Sequence, residues 1–243
     1  MEVIITANYD EMSEKAADAV AKILSAEPNA VLGLATGSTP MGMYRVLVDK
    51  FRRGEISFAK VKSVNLDEYV GLAADHPQSY AFFMDENLFS KVDIDKNNTF
   101  LPCGTAADSE EECRRYNALL SDLVPDIQIL GIGSNGHIGF NEPGTPFDSV
   151  THVVELTKST IKDNSRLFSS IGEVPEKAYS MGIKNILAAK KIVVMASGRQ
   201  KARAVRDMLN AEISPACPAT ALRLHPDVTL IADEEAASLL RKN

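Results

Sequence analysis

The stretch Ala30-Val31-Leu32-Gly33-Leu34-Ala35-Thr36-Gly37-Ser38-Thr39-Pro40 decides how the chain is read. Six consecutive apolar residues with no polar alternation are the pattern of a strand covered on both faces, as in a parallel sheet. Small and hydroxyl residues follow, and then a proline that is tolerated where a helix begins. Tyr44, Leu47, Val48 and Phe51 next recur at helical spacing. The stretch is therefore a strand, a loop and the start of a helix.

The same alternation runs along the chain. Val3–Thr6 reads as a strand, and Met12, Ala16, Ala19, Val20, Ile23 and Leu24 form a helical stripe. Val61–Leu66 is a strand. Pro77 opens a helix that turns Tyr80, Phe83, Met84 and Leu88 inward. Asp108 caps a helix through Leu123. Ile127–Gly131, Val153–Leu156, Ala178–Gly182, Lys191–Ala196 and Val228–Ala232 complete the strands, with helices over 158–170, 184–189, 199–211 and 234–241. Strands alternating with helices predict an α/β fold: a doubly wound, mostly parallel sheet with helices on both faces, Rossmann-like, with residues 1–243 as a single domain. Such sheets bind ligands beyond the carboxyl ends of their strands.

Composition narrows the function. With 26 basic and 33 acidic residues among 243, the net charge is −7. That is the wrong footprint for general nucleic-acid binding, although a local basic site for one phosphate-bearing metabolite remains compatible. The apolar fraction of 45% fills a core. No window reaches the roughly 20 apolar residues that span a bilayer. The start of the chain lacks the basic and apolar regions of a signal peptide. Three cysteines, Cys103, Cys113 and Cys217, form neither a disulfide framework nor a zinc motif, and Cys113 sits on an apolar helical stripe. A cytoplasmic protein without membrane or nucleic-acid partners is expected.

Three loops at strand ends carry the chemistry. Thr36, Gly37, Ser38 and Thr39 offer hydroxyls and free N–H groups at a helix N-terminus, which suits a phosphate; a tight turn with hydroxyl capping explains them equally well. In Asn65-Leu66-Asp67-Glu68-Tyr69, adjacent acids follow a buried strand. If strand geometry persists, only one faces a cleft. It serves as a general base, or the pair are loop carboxylates or a helix cap. The third loop, from Gly131 to Gly144, contains GxGxxG (Gly131, Gly133, Gly136), with Glu155 19 residues further on. Pro143, Gly144 and Pro146 interrupt the helix that a dinucleotide site requires, so these glycines, Gly131 among them, fit close backbone approach to a ligand instead. His137 and Glu142 pair an imidazole with a carboxylate, suited to proton transfer near neutrality. Lys201, after Ser197-Gly198, opposes the dipole of its helix unless an anion is near; the alternative is a solvated surface lysine. Arg166 is less specific by itself, and His76, His152 and His225 receive no role.

Taken together, LATGSTP, NLDEYVGL, GIGSNGHIGFNEPG, NSRLF and SGRQKA, in that order over essentially the whole chain, resemble the glucosamine-6-phosphate deaminase family. The resemblance implies conversion of glucosamine 6-phosphate to fructose 6-phosphate with release of ammonia, without metal or organic cofactor. It implies Asp67 as the base moving a proton between C2 and C1. His137 then assists ring opening with Glu142 as its partner, and Thr36 to Thr39, Arg166 and Lys201 hold phosphate. Segment 158–170, carrying Arg166, would be a lid. Many members have aspartate where this chain has Asn135; an amide can still orient the imidazole but cannot stabilise an imidazolium by charge. Regulated hexameric relatives carry basic residues where His152, Val154 and Glu155 stand, and they extend further at the C-terminus. An unregulated monomer or small homo-oligomer is therefore expected. The rival enzyme is a phosphogluconolactonase, against which the carboxylate in Phe140-Asn141-Glu142-Pro143 speaks. A sugar-phosphate sensor of the same fold would carry a DNA-binding segment before this domain.

Overall fold

Asn8 accepts the Glu11 N–H, which ends the first strand and caps the first helix in one step. From there the computed structural model, which describes residues 1–156, 161, 170 and 173–240, runs through ten strands and six helices of its described part. The order is β1 (Glu2–Thr6), α1 (Tyr9–Ala26), β2 (Val31–Leu34), α2 (Met41–Arg52), β3 (Lys62–Asn65), β4 (Asp67–Tyr69), α3 (Tyr80–Asn87), β5 (Thr99–Phe100) and α4 (Ser109–Asp122). Then come β6 (Ile127–Gly131), β7 (His152–Glu155), β8 (Lys177–Ser180), α5 (Ile183–Leu187), β9 (Ile192–Ala196), α6 (Ala202–Asn210) and β10 (Val228–Asp233).

Seven strands form one sheet in the order β1-β10-β9-β6-β2-β3-β5, and every pairing is parallel. The chain winds outward from β2 to β3 and β5, then returns to the other side of β2 and winds away through β6, β9 and β10. The winding reverses between β2 and β6, which are hydrogen-bonded neighbours. An open α/β sheet leaves its crevice there, at the carboxyl ends of the strands. All residues of β9 and β10 are buried, as expected of strands covered by helices on both faces. Met12, Ala16, Val20 and Leu24 of α1 and Tyr44, Leu47 and Val48 of α2 join that core.

Three strands behave differently. β4, β8 and β7 form a small antiparallel sheet. The chain changes sheets at Leu66, whose N–H bonds Leu34 O in the large sheet while its carbonyl accepts from Met181 N in the small one. Residues 153–156 and 178–182 thus supply strands as expected, but not parallel ones. Two other expectations need correction. Ser79, not Pro77, starts α3, because its hydroxyl accepts the Phe82 N–H. Residues 234–240 form turns rather than a helix. The expected helix over 158–170 lies outside the described residues, apart from residues 161 and 170.

Candidate functional site

Parallel strands bring their following loops to one edge. In sheet order, the loops after β9, β6, β2 and β3 lie side by side and carry Lys201, His137, Thr36 to Thr39 and Asp67.

After β2, the buried Tyr44 hydroxyl donates to Ala35 O at 2.6 Å and fixes the loop's start. Gly37 then takes φ +87°, a conformation that costs glycine least. No side chain caps α2 at Pro40. Instead, the Tyr9 hydroxyl accepts the Gly42 N–H at 2.8 Å and donates to Ser38 O at 3.0 Å. The hydroxyls of Thr36, Ser38 and Thr39 therefore do not cap this helix, and that explanation of the loop falls away.

After β3, strand geometry does persist through β4, and it separates the two acids. Glu68 is a structural cap: Oε1 accepts from Tyr69 N and Tyr80 N, and Oε2 from Ala81 N, each at 2.9 Å. Asp67 points the other way. It is buried, and its Oδ1 has no hydrogen-bond partner among the described residues. Burial, with a smaller contribution from the Glu68 charge, pushes its pKa up to about 8. A carboxylate held this way is a base poised near neutrality.

After β6, no helix follows the GxGxxG glycines; residues 132–151 are turns and loop. A dinucleotide pyrophosphate would need that helix N-terminus. The glycines instead shape a tight hairpin, with Gly133 N bonded to His137 O and Gly136 N to Gly133 O. A Cβ at Gly133 would lie 2.4 Å from Nε2 of His137, so the imidazole rests directly on this glycine. Gly131 faces open space. His137 Nδ1 lies 3.4 Å from Glu142 Oε1, and Asn135 binds both partners. Its Nδ2 donates to Glu142 Oε2 at 2.7 Å, while its Oδ1 accepts the His137 backbone N–H at 3.1 Å. Asn135 thus acts on the imidazole through Glu142 and the backbone rather than by binding the ring. Gly139, at φ +57°, carries this loop past the base: a Cβ there would be 3.8 Å from Asp67 Oδ2. Phe140 N donates to Ser180 Oγ, and Ser180 pairs with Asp67 in the small sheet. The base and the histidine loop are therefore locked to the same strand.

After β9, Ser197 and Gly198 lead into a single 3-10 turn, Arg199–Lys201, and Lys201 stands at the N-cap of α6. Arg166 lies outside the described residues. His152, Val154 and Glu155 stand on β7. Among the described residues no group of three or more His, Cys, Asp or Glu is arranged to hold a metal, and no helix is long and apolar enough to cross a membrane.

Sequence reasoning missed several contributors. Tyr9 and Ser180 had no signal beyond their residue type. Gly133 stands out in the sequence only as part of a glycine pattern. Asp233 ends the buried strand β10, the position that draws attention in a parallel sheet.

The family model for glucosamine-6-phosphate isomerases and 6-phosphogluconolactonases matches residues 6–231. The glucosamine-6-phosphate deaminase of Thermoanaerobacter pseudethanolicus is 54% identical over 241 residues, covering 99% of this chain and 95% of that one. The glucosamine-6-phosphate deaminase of Clostridium perfringens is 52% identical over 242 residues, covering 99% and 100%. A solved structure described as a monomeric glucosamine-6-phosphate deaminase superposes with a TM-score of 0.96 at 50% identity, covering 98% of this chain and 100% of that chain. The 6-phosphogluconolactonase of Trypanosoma brucei shares the fold, with a TM-score of 0.81 at 22% identity over 99% of this chain and 98% of that one.

Proposed function

The chain belongs to the family of glucosamine-6-phosphate isomerases and 6-phosphogluconolactonases, and we propose that its reaction is the isomerising deamination of glucosamine 6-phosphate. The products are fructose 6-phosphate and ammonia, and the role is amino-sugar catabolism. The observation that carries this reading is a buried, partner-poor carboxylate, Asp67, held against a loop that presents a histidine with its own carboxylate. A lactone hydrolysis needs no base of this kind beside carbon; an aldose–ketose proton shift does.

The phosphate binds at Thr36 to Thr39 with Lys201 and Arg166, where charge-assisted hydrogen bonds are strong. Anchoring there leaves the sugar end at the next two loops, and Gly131 leaves room for it. His137 takes the proton from the C1 hydroxyl and returns it to the ring oxygen, opening the pyranose to the aldehyde; Glu142, held by Asn135 at 3.4 Å from Nδ1 and not hydrogen-bonded to it, attracts the imidazole while it carries the proton. Asp67 then removes the C2 proton, the electron pair forms a C1–C2 double bond as the C1 carbonyl opens, and the C1 oxygen takes a proton released by the substrate ammonium, giving an enaminol. Asp67 returns its proton to C1 as the nitrogen lone pair forms the C=N bond, which leaves a protonated imine at C2. Water adds to this carbon, and the C–N bond breaks to release ammonia. Protonated substrate amine brings positive charge to Asp67 and favours its ionised form.

Residues 1–243 act as one catalytic unit, cytoplasmic, as a monomer or in a small assembly, and without response to N-acetylated sugar phosphates. The 50% identical relative described as monomeric supports the oligomeric part of this reading. Strongly sigmoidal kinetics abolished by such a phosphate would refute the unregulated reading. The reaction itself is tested by incubating the protein with glucosamine 6-phosphate and measuring ammonia and fructose 6-phosphate together. Equal amounts are expected. Hydrolysis of 6-phosphogluconolactone with no ammonia from the amino sugar would overturn the assignment.

A further inference from the structure

Another buried carboxylate stands at the carboxyl edge of the large sheet and takes no part in the proton transfers. Asp233 ends β10, beside β9, and is 5% exposed. Its carboxylate gathers donors from two segments. Ser197 Oγ donates to Oδ2 at 2.5 Å, Gly198 N donates to the same oxygen at 3.0 Å, and Ala236 N donates to Oδ1 at 2.7 Å. Hydrogen bonds to an ionised acceptor are the stronger kind. They hold Gly198 at φ +86°, from which the chain enters the turn that ends in Lys201. The Gly198 carbonyl in turn accepts the Lys201 N–H at 3.0 Å. Two successive hydrogen bonds therefore connect the Asp233 carboxylate to the backbone of Lys201.

We propose that Asp233 is a positioning residue for substrate phosphate, fixing the Ser197–Lys201 turn so that the Lys201 ammonium is presented to it. This rests on the reading of Lys201 as a phosphate contact. A lysine side chain is long and flexible, so its reach is set by where its backbone is held. Asp233 does this from outside the site, without touching substrate. An asparagine at 233 would turn one acceptor oxygen into an NH2 group facing Ser197 and Gly198, which are already donors.

The test compares Asp233→Asn, Lys201→Ala and the double variant, with glucosamine 6-phosphate as substrate and inorganic phosphate as competitive inhibitor. Asp233→Asn should raise both KM and the phosphate inhibition constant about tenfold while kcat stays within about twofold. In the Lys201→Ala background, the same change should add almost nothing, because the contact it positions is already gone. Unchanged KM in Asp233→Asn, with KM raised in Lys201→Ala, overturns the proposal alone. Unchanged KM in Lys201→Ala overturns the phosphate reading of Lys201 and the proposal with it. Full multiplication of the two effects in the double variant also overturns it. Should Asp233→Asn fail to fold, Ser197→Ala removes one of the same donors. A smaller rise in KM and in the inhibition constant then supports the proposal, and no rise in either overturns it.

Discussion

Replacing Asp67 by asparagine separates what this carboxylate does for chemistry from what it costs the fold. Burial pushes its pKa from 3.8 up to about 8, with Glu68 adding its charge. The folded protein therefore binds this proton more tightly than the unfolded chain. The stabilisation is complete below about pH 4 and is lost as pH rises through about 8. At about 1.36 kcal/mol for each pH unit between the two values, the loss is at most about 5–6 kcal/mol. Asparagine is neutral throughout and escapes it. Its amide does inherit the place where Oδ1 has no partner, at a cost of about 1–3 kcal/mol. The variant should therefore be no more stable than the parent near pH 4 and more stable by about 3–5 kcal/mol near pH 9. Urea unfolding of both proteins from pH 4 to pH 9 measures this. All other groups titrate in both proteins, so the difference isolates residue 67. A difference that does not change with pH, or a parent that is the more stable at pH 9, would refute the reasoning.

Three other perturbations follow from the same geometry. Gly133→Ala puts a methyl group 2.4 Å from the His137 ring; the displaced imidazole should cost about 10²-fold in kcat with the circular dichroism spectrum unchanged, and full activity would contradict the packing. Glu68→Gln replaces with an NH2 group one of the two oxygens that together accept three N–H groups of β4 and α3. It should cost about 2–3 kcal/mol, seen as a Tm lowered by about 5–10 °C in calorimetry. Asn135→Asp replaces the donor 2.7 Å from Glu142 with a second carboxylate. Two such groups share a proton, so the acid limb of kcat should move to higher pH; an unmoved limb would mean that Asn135 does not hold Glu142 in solution.

The centre of the large sheet was legible because its strands are runs of mainly apolar residues, AVLGLA, IQILG and KKIVVMA, whereas β5, two half-buried residues at the sheet edge, was not. Two strands of the small sheet were legible as well, but their antiparallel pairing was not, and neither was β4, because it has three residues and two of them are acids, so no periodicity announces it. Its pairing with β8 is what divides Asp67 from Glu68, a division that neighbouring letters leave open. Segment 234–241 shows a helix-like apolar pattern, yet residues 234–240 form turns that begin with the Asp233 carboxylate taking the Ala236 N–H. At the site, residue identities were readable and their division of labour was not. That Asn135 grips Glu142 rather than the ring, and that Tyr9 rather than a loop hydroxyl serves the start of α2, are consequences of three-dimensional placement.

The central claim is that Asp67 moves the proton at C2. The most direct measurement is turnover of glucosamine 6-phosphate by wild type and Asp67→Asn in deuterated water at pH 8. Ammonia and fructose 6-phosphate are quantified, and deuterium at C1 and C2 is followed by NMR. The account predicts a folded variant whose turnover is lower by at least about 10²-fold and which exchanges no C2 proton with solvent. Turnover near the wild-type rate, or exchange at C2 that persists without Asp67, would contradict it.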